Sequence, residues 1–271
     1  MVAPAYFAAV NPKAASRTAL VTGASSGIGL ELARLFAADG VNLVLVARSA
    51  GRLQQLASEF SQVNVHVVAK DLSQPHAPQS VFAELSQRSI SVDYLINNAG
   101  FGAYGKFADL RLDQQLEMVQ LNVTALVHLT HLFLPQMIAR RSGRIMNVAS
   151  TAAFQPGPLM AVYYATKAFV LSFSEAIANE LSGTGVTVTC FCPGATRTEF
   201  AKRADMENSR LFRLAAMDVK PVSLAGYRGM MAGKTLVIPG VRNKLMAQSV
   251  RLGPRKIVAA IARSAQEQRL P

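Results

Sequence analysis

Seven short apolar runs, separated for the most part by longer segments of helical spacing, restrict this chain to very few architectures. The runs are TALVT (18–22), VNLVLVA (41–47), VNVHVVA (63–69), VDYLIN (92–97), GRIMNVA (143–149), VTVTCF (186–191) and KTLVIPG (234–240). Between most of them apolar residues return on one helical face, as Leu30, Leu32, Ala33, Leu35 and Phe36 do. Strands that alternate with helices pair in parallel, because each helix supplies the crossover a parallel pair needs. The expected fold is therefore α/β: a doubly wound parallel sheet of about seven strands with helices on both faces, in one domain over 18–271 behind an N-terminal extension, 1–17. A 51% apolar and 16% charged composition supplies enough material to cover both faces. The alternation weakens at about 198–232, past the carboxyl end of the sixth strand. Such sheets hold ligands at that edge, so this segment is expected to be a substrate flap.

Several classes are disfavoured. Cys190 and Cys192 sit two apart in an apolar run, where a disulfide would be strained and a metal would lack further ligands. Free buried thiols fit a reducing, cytoplasmic setting. The first residues lack the basic-then-apolar plan of a secretory signal. The apolar stretch 121–138 carries Asn122, His128, His131, Pro135 and Gln136, which argues against a membrane span. His128 and His131 find no third ligand and read as packing residues, so no metal is expected. The net charge is +12, and from Arg197 onward fifteen Lys or Arg stand against five Asp or Glu. Charged faces are usually only solvated, and no basic motif interleaved with aromatics points to nucleic acid. Contact of the basic C-terminal region (Arg242, Lys244, Arg251, Arg255 and Lys256) with an acyl carrier, a coenzyme A phosphate or an anionic membrane surface stays open.

TGASSGIG (22–29) follows the first strand and opens a helix. Gly23 permits a tight turn, Gly27 removes a side chain in the path of a pyrophosphate, and Gly29 lets helix and strand pack closely. The helix N-terminus offers free N–H groups to phosphates. Where an acid would bind the ribose 2′-hydroxyl of NAD, the second strand ends in Ala47 and Arg48. A guanidinium there suits a 2′-phosphate, so NADP(H) is expected over NAD(H).

Tyr163 and Lys167 lie four apart in a helical segment, on one face. An ammonium beside a phenol favours the phenolate and lowers its pKa, which prepares Tyr163 to act as general acid on a ketone. Tyr164 has only Ala168 at that spacing. Ser150 ends the fifth strand and is placed to hydrogen-bond a substrate oxygen as charge builds on it. Asn122 is an amide in apolar helix, costly without partners.

TGASSGIG, DLS (71–73), NNAG (97–100), Asn122, Ser150, YYATK (163–167) and PGATRT (193–198), in this order, resemble the single-domain short-chain dehydrogenase/reductase family with its Rossmann-like fold. The resemblance implies an oxidoreductase that reduces a carbonyl by hydride transfer. It places Ser25, Ser26 and Ile28 with the glycines at the diphosphate, and Asp71 at the adenine amino group. Asn98, Ala99 and Gly100 fall at the adenine ribose, and Pro193, Gly194 and Thr198 at the nicotinamide end. Asn122 supports a proton relay and Lys167 grips the ribose. Assembly as a homodimer or homotetramer through helices at about 108–138 and 161–182 is also implied. Phe101, Tyr104, Phe154, Pro156, Leu159, Met160, Phe200 and Met206, with Met217, Met230 and Met231 near the flap, are expected to line an apolar pocket suited to a lipophilic ketone or 3-oxoacyl group. The rival reading is a nicotinamide-binding sensor that keeps the fold without turnover.

Overall fold

The computed structural model describes residues 17–204, 209, 215–250 and 253–267. Most of the 1–17 extension, together with Met206 and Arg251, therefore lies outside the described residues. All seven expected strands form: β1 (Thr18–Thr22), β2 (Asn42–Ala47), β3 (Val65–Ala69), β4 (Tyr94–Asn97), β5 (Gly143–Val148), β6 (Val186–Phe191) and β7 (Leu236–Val237). They pair in parallel in the order β3-β2-β1-β4-β5-β6-β7. The direction of winding reverses between β1 and β4, which opens a crevice at their carboxyl ends. The edge strand β7 shrinks to two residues, Leu236 and Val237 opposite Cys190 and Phe191. Its continuation into Pro239 and Gly240 takes it out of the sheet.

The pleat sorts side chains between two layers. Ala19, Val21, Leu43, Leu45, Ile96 and Met146 pack on one side with Phe36 of α1 (Gly27–Ala38) and Leu53 and Leu56 of α2 (Ala50–Glu59). Leu20, Val44, Val46, Leu95, Ile145 and Val188 pack on the other. Their partners are Val81 and Leu85 of α3 (Ala77–Gln87) and Leu129, Phe133 and Met137 of α5 (Ala125–Ala139). Helix α6 (Ala161–Glu180) covers the same side through Val170 and Leu171. Cys190 and Cys192 are free, buried thiols with sulfurs 3.6 Å apart. By length and composition the run Leu112–Ala139 passes for a membrane span. A π-helical turn at Gln120–Thr124 interrupts it after α4 (Leu112–Val119), and its inner face belongs to the core.

Of the described residues in the expected 198–232 flap, α7 (Glu199–Arg203) lies by the crevice, whereas α8 (Val219–Met231) is a core helix beside α1. Val222 and Met230 are wholly buried there, and the Tyr227 ring meets Phe36 edge-on at 5.0 Å while its hydroxyl donates to Asp39. The glycines that give this segment an irregular composition are contact surfaces. A Cβ on Gly226 would lie 2.8 Å from the Phe191 ring, and one on Gly229 would lie 2.3 Å from Val237. Two further helices follow, α9 (Val241–Ser249) and α10 (Arg255–Gln266). Met230→Ala should cost about 2–5 kcal/mol in urea unfolding, the range for emptying a well-packed methionine site. A loss below about 0.5 kcal/mol, as exposed positions show, would restore the segment to a flap.

Candidate active site

The crevice between β1 and β4 continues into a cleft of about 960 Å³ that crosses the carboxyl edge of the sheet. Its floor is tied together by polar groups. The Thr22 hydroxyl donates to Ile96 O at 3.1 Å and accepts from the backbone N–H groups of Asn98 and Ala99 at 2.9 and 3.0 Å. The Asn98 side chain donates to Thr22 O at 2.8 Å. This knot fixes the glycine turn to the end of β4.

At one end of the cleft the turn forms an open cradle. Gly23 and Gly27 have φ of +65° and +57°, a region costly for residues with a Cβ. A Cβ on Gly23 would lie 2.8 Å from Asn98 Nδ2, and one on Gly27 would lie 3.2 Å from the Thr198 side chain. Ser25, Ser26, Gly27 and Ile28 line the cleft above the N-terminus of α1, where Ser26 is the cap residue and its side chain makes no capping bond. The first-turn N–H groups are thus left for a ligand. Gly29 faces inward, its Cβ position 2.5 Å from Gly23 O. Arg48 lines the cleft past β2, and Lys70 joins it from the end of β3. Asp71 Oδ1 accepts from the Ser73 N–H and hydroxyl at 3.0 and 2.8 Å, which aims the carboxylate along the edge. Asn98, Ala99 and Gly100 complete this half. Glycine turn and helix N-terminus fit a dinucleotide diphosphate, with Arg48 and Lys70 among the residues that line the same half.

The expected catalytic residues converge at the middle of the cleft. Lys167 is buried, and its ammonium donates to Val148 O at 2.8 Å and lies 5.8 Å from the Tyr163 ring centroid. Burial lowers its pKa to about 8, opposed by the nearby Cys190 and Cys192 sulfurs. Tyr163 is buried against Phe200, ring centroids 5.3 Å apart. Burial raises the phenol pKa well above its ordinary value, and the hydrogen bond with the Ser150 side chain works the other way. The phenol is thus held protonated: desolvation dominates, and the one downward pull comes from Ser150 and not from the lysine as expected. Ser150 also caps the short turn Thr151–Phe154 by accepting from Ala152 N at 3.1 Å.

Asn122 sits in the π-helical turn. Its amide exchanges hydrogen bonds with the Phe101 backbone at 2.9 and 3.1 Å and donates to Thr166 at 3.2 Å. Its side chain therefore positions the segment that follows NNAG. A Cβ on Gly100 would lie 2.8 Å from Asn122 Oδ1 and 3.6 Å from the Lys167 ammonium, so all three meet at one point. Pro193, Gly194 and Thr198 line the opposite lip, where Pro193 O accepts from Thr151 N at 2.9 Å.

The apolar lining differs in part from expectation. Phe101, Met160 and Phe200 line the cleft, whereas Tyr104, Phe154, Pro156 and Leu159 do not. Met217 pairs with Ala195 and Arg197, Met230 is core, and Met231 packs against that core. The wall is completed by Met246 of α9 and by Ile257, Val258, Ile261, Ala262 and Ala265 of α10. The Ile257 and Ile261 spacing was a readable sign of such a face. Lys70 and Gln155 were also missed. Among the described residues no three of His, Cys, Asp and Glu gather as metal ligands.

The pattern of the short chain dehydrogenase family matches residues 17–209. Sulfoacetaldehyde reductase 2 of Chromohalobacter salexigens is 42% identical over 184 residues, 67% of this chain and 73% of that protein. A short-chain dehydrogenase from Sphingobium yanoikuyae in complex with NADPH is similar at a TM-score of 0.78 and 34% identity, over 93% of this chain and 99% of that one. The bulky-bulky ketone specific alcohol dehydrogenase from Comamonas testosteroni gives a TM-score of 0.74 and 33% identity, over 88% of this chain and 92% of that one. Pattern, relatives and the order of the residues along the sheet edge lead to one conclusion: this chain belongs to the short-chain dehydrogenase family.

Proposed function

We propose that this protein uses NADPH to reduce a lipophilic ketone or 3-oxoacyl group to the alcohol, with Tyr163 as the proton donor. The observation that carries the reading is the convergence of Ser150, Tyr163 and Lys167 midway along a cleft that begins at the glycine cradle. A bound nicotinamide supplies the hydride. The cradle, Asp71 and the Asn98–Gly100 segment hold the nucleotide, and Pro193, Gly194 and Thr198 fix its reactive end. Ser150 Oγ donates to the substrate oxygen and Tyr163 gives that oxygen its proton. Lys167 keeps positive charge beneath the phenol, so the charge left on Tyr163 is stabilised. Phe200 and Met160 shield the exchange from water.

Arg48 and Lys70 support NADPH over NADH, since both line the cleft past the ends of β2 and β3 and either cation would pair with a 2′-phosphate bound there. Among the described lining residues the cations are Arg48, Lys70 and Lys167. None of these three belongs to the apolar end formed by Phe101, Met160, Phe200 and α10. The apolar lining there supports a lipophilic carbonyl. Exposed Leu112, Leu116 and Phe169 on α4 and α6, with Phe169 stacked on Phe173, support a homodimer or homotetramer. Arg242, Lys244, Arg255 and Lys256 are exposed beside the exposed Val241, Leu245, Ile257 and Ile261. That mixture supports a peripheral contact of a cytoplasmic protein with an anionic surface, membrane or acyl carrier.

In a carbonyl panel run with NADPH and NADH, Tyr163→Phe should lower kcat by about 10²–10⁴-fold with NADPH affinity kept. Arg48→Ala should weaken NADPH, and not NADH, by about tenfold or more, the scale of one charge-assisted hydrogen bond. Unimpaired turnover in the first variant would remove Tyr163 from the chemistry. Equal losses for both nucleotides in the second would remove Arg48 from discrimination. Lys167, lowered to about 8, is cationic below that pH and neutral above it. Since kcat/KM for NADPH reports ionisations of the free enzyme, it should fall by up to about tenfold per pH unit above about 8. A level alkaline profile would detach Lys167 from cofactor binding. Sedimentation should show a dimer or larger, and co-sedimentation with anionic but not neutral vesicles that weakens with salt. A monomer, or binding indifferent to salt, counts against these contacts.

A further inference from the structure

At the amino edge of the sheet, opposite the cleft, lies a hollow of about 110 Å³ whose lining includes Arg17, Asp93, Ser142, Arg144 and Thr187. The six residues of β5, about 20 Å at about 3.3 Å per residue, separate the two edges. The strand register builds this hollow. Tyr94 of β4, Arg144 of β5 and Thr187 of β6 are direct partners across three neighbouring strands, so their side chains stand in a row on one face. Further along, that face is core: Met146 and Val148 follow Arg144 on it, and Phe191 follows Thr187. A cation and a hydroxyl are thus set where the pattern otherwise places hydrocarbon.

Neither group is satisfied within the chain. Arg144 is half-buried and donates from Nη1 to Met230 O at 3.0 Å, while Arg17 donates to the Tyr94 hydroxyl at 2.9 Å. A guanidinium has five N–H donors, and among the described residues neither arginine forms an ion pair. Asp93 is the one carboxylate lining the hollow, and its oxygens are engaged: Oδ2 accepts from Thr18 N at 2.9 Å, and Oδ1 stands 3.9 Å from the Arg140 guanidinium. Thr187 Oγ1 is buried and makes no hydrogen bond. A half-buried cation without a counterion and a buried hydroxyl without a partner are each costly. Here they are neighbours, and one ligand would answer both.

We propose that this hollow binds a tetrahedral oxyanion, free phosphate or the phosphate of a monoester, between Arg17 and Arg144 with the Thr187 and Ser142 hydroxyls as further donors. The oxygens of a phosphate can meet two guanidiniums and a hydroxyl at once, which the paired oxygens of a carboxylate cannot. The volume admits a phosphate-sized group and leaves any organic remainder outside. No lining residue is shared with the cleft, so the site stands independently of the reductase reading.

Because the glycine cradle also attracts phosphates, the test is titration calorimetry of the full chain in excess NADPH and at constant ionic strength. The titrants are inorganic phosphate, glycerol phosphate and acetate, and the proteins are the wild type, Arg144→Gln and Thr187→Val. Phosphate should bind the wild type. Arg144→Gln should weaken it by about tenfold or more, the scale of one charge-assisted hydrogen bond, and Thr187→Val by about threefold or more. Tighter binding of glycerol phosphate identifies a monoester as the occupant, tighter binding of inorganic phosphate identifies the free ion, and both uphold the site. Absence of binding to the wild type overturns it, and so does acetate bound as tightly as phosphate. An affinity that both variants leave unchanged reduces the phosphate to an adventitious ion only and also overturns it. Thr187→Val keeps the side-chain shape, so it decides alone if Arg144→Gln does not fold.

Discussion

The knot between Thr22 and Asn98 is the constraint on which the molecule turns. In a parallel sheet that reverses its winding, the two strands at the reversal send their chains to opposite faces, and nothing in the ladder itself joins the loops that leave them. Here one hydroxyl and one amide bind the end of β1 to the end of β4 through four hydrogen bonds of 2.8 to 3.1 Å. The glycine turn and the NNAG segment are thereby one rigid surface. A second buried chain, Thr130 to Asn97 to Asn147 to Ser174, runs beneath it and joins α5 and α6 to the central strands. Buried amides of this kind are costly alone and specific when connected, and they hold α6 in register with the cradle.

Much of this was legible because it rests on short-range periodicity. The strands show as Val, Ile and Leu runs, and the cradle shows because positive φ and close backbone approach demand glycine. Tyr163 and Lys167 show because helical spacing brings them together. What failed to show depends on distance in space. Gly226 and Gly229 make α8 look irregular, yet they are what lets it press on Phe191 and Val237. The π-helical turn that carries Asn122 has no local signature, since it is fixed by the Phe101 backbone twenty-one residues away. Lys70 was hidden for the same reason: it reaches the cleft only because β3 lies beside β2.

The centre of the cleft is electrostatically expensive. Lys167 is a cation with one carbonyl partner in a setting that favours its neutral form, and Tyr163 is a phenol whose ionisation is opposed by the same burial. Each makes sense in terms of the other. A site that is dry enough to raise the phenol also makes any charge developing on it strongly felt, and the ammonium is the group that answers that charge.

The two ends of the cleft differ in how firmly they are anchored. The nucleotide end is cut from the central strands, whose residues are among the most deeply buried in the molecule. The far wall is α10, which commits only Ala262 and Gln266 to the interior and leaves Ile257 and Ile261 largely in water. An element with so few buried contacts belongs to the low-stability end of a fold. Amide exchange would therefore be faster in that helix than in β1 and β4, so the two ends of one chamber differ in local stability as well as in polarity.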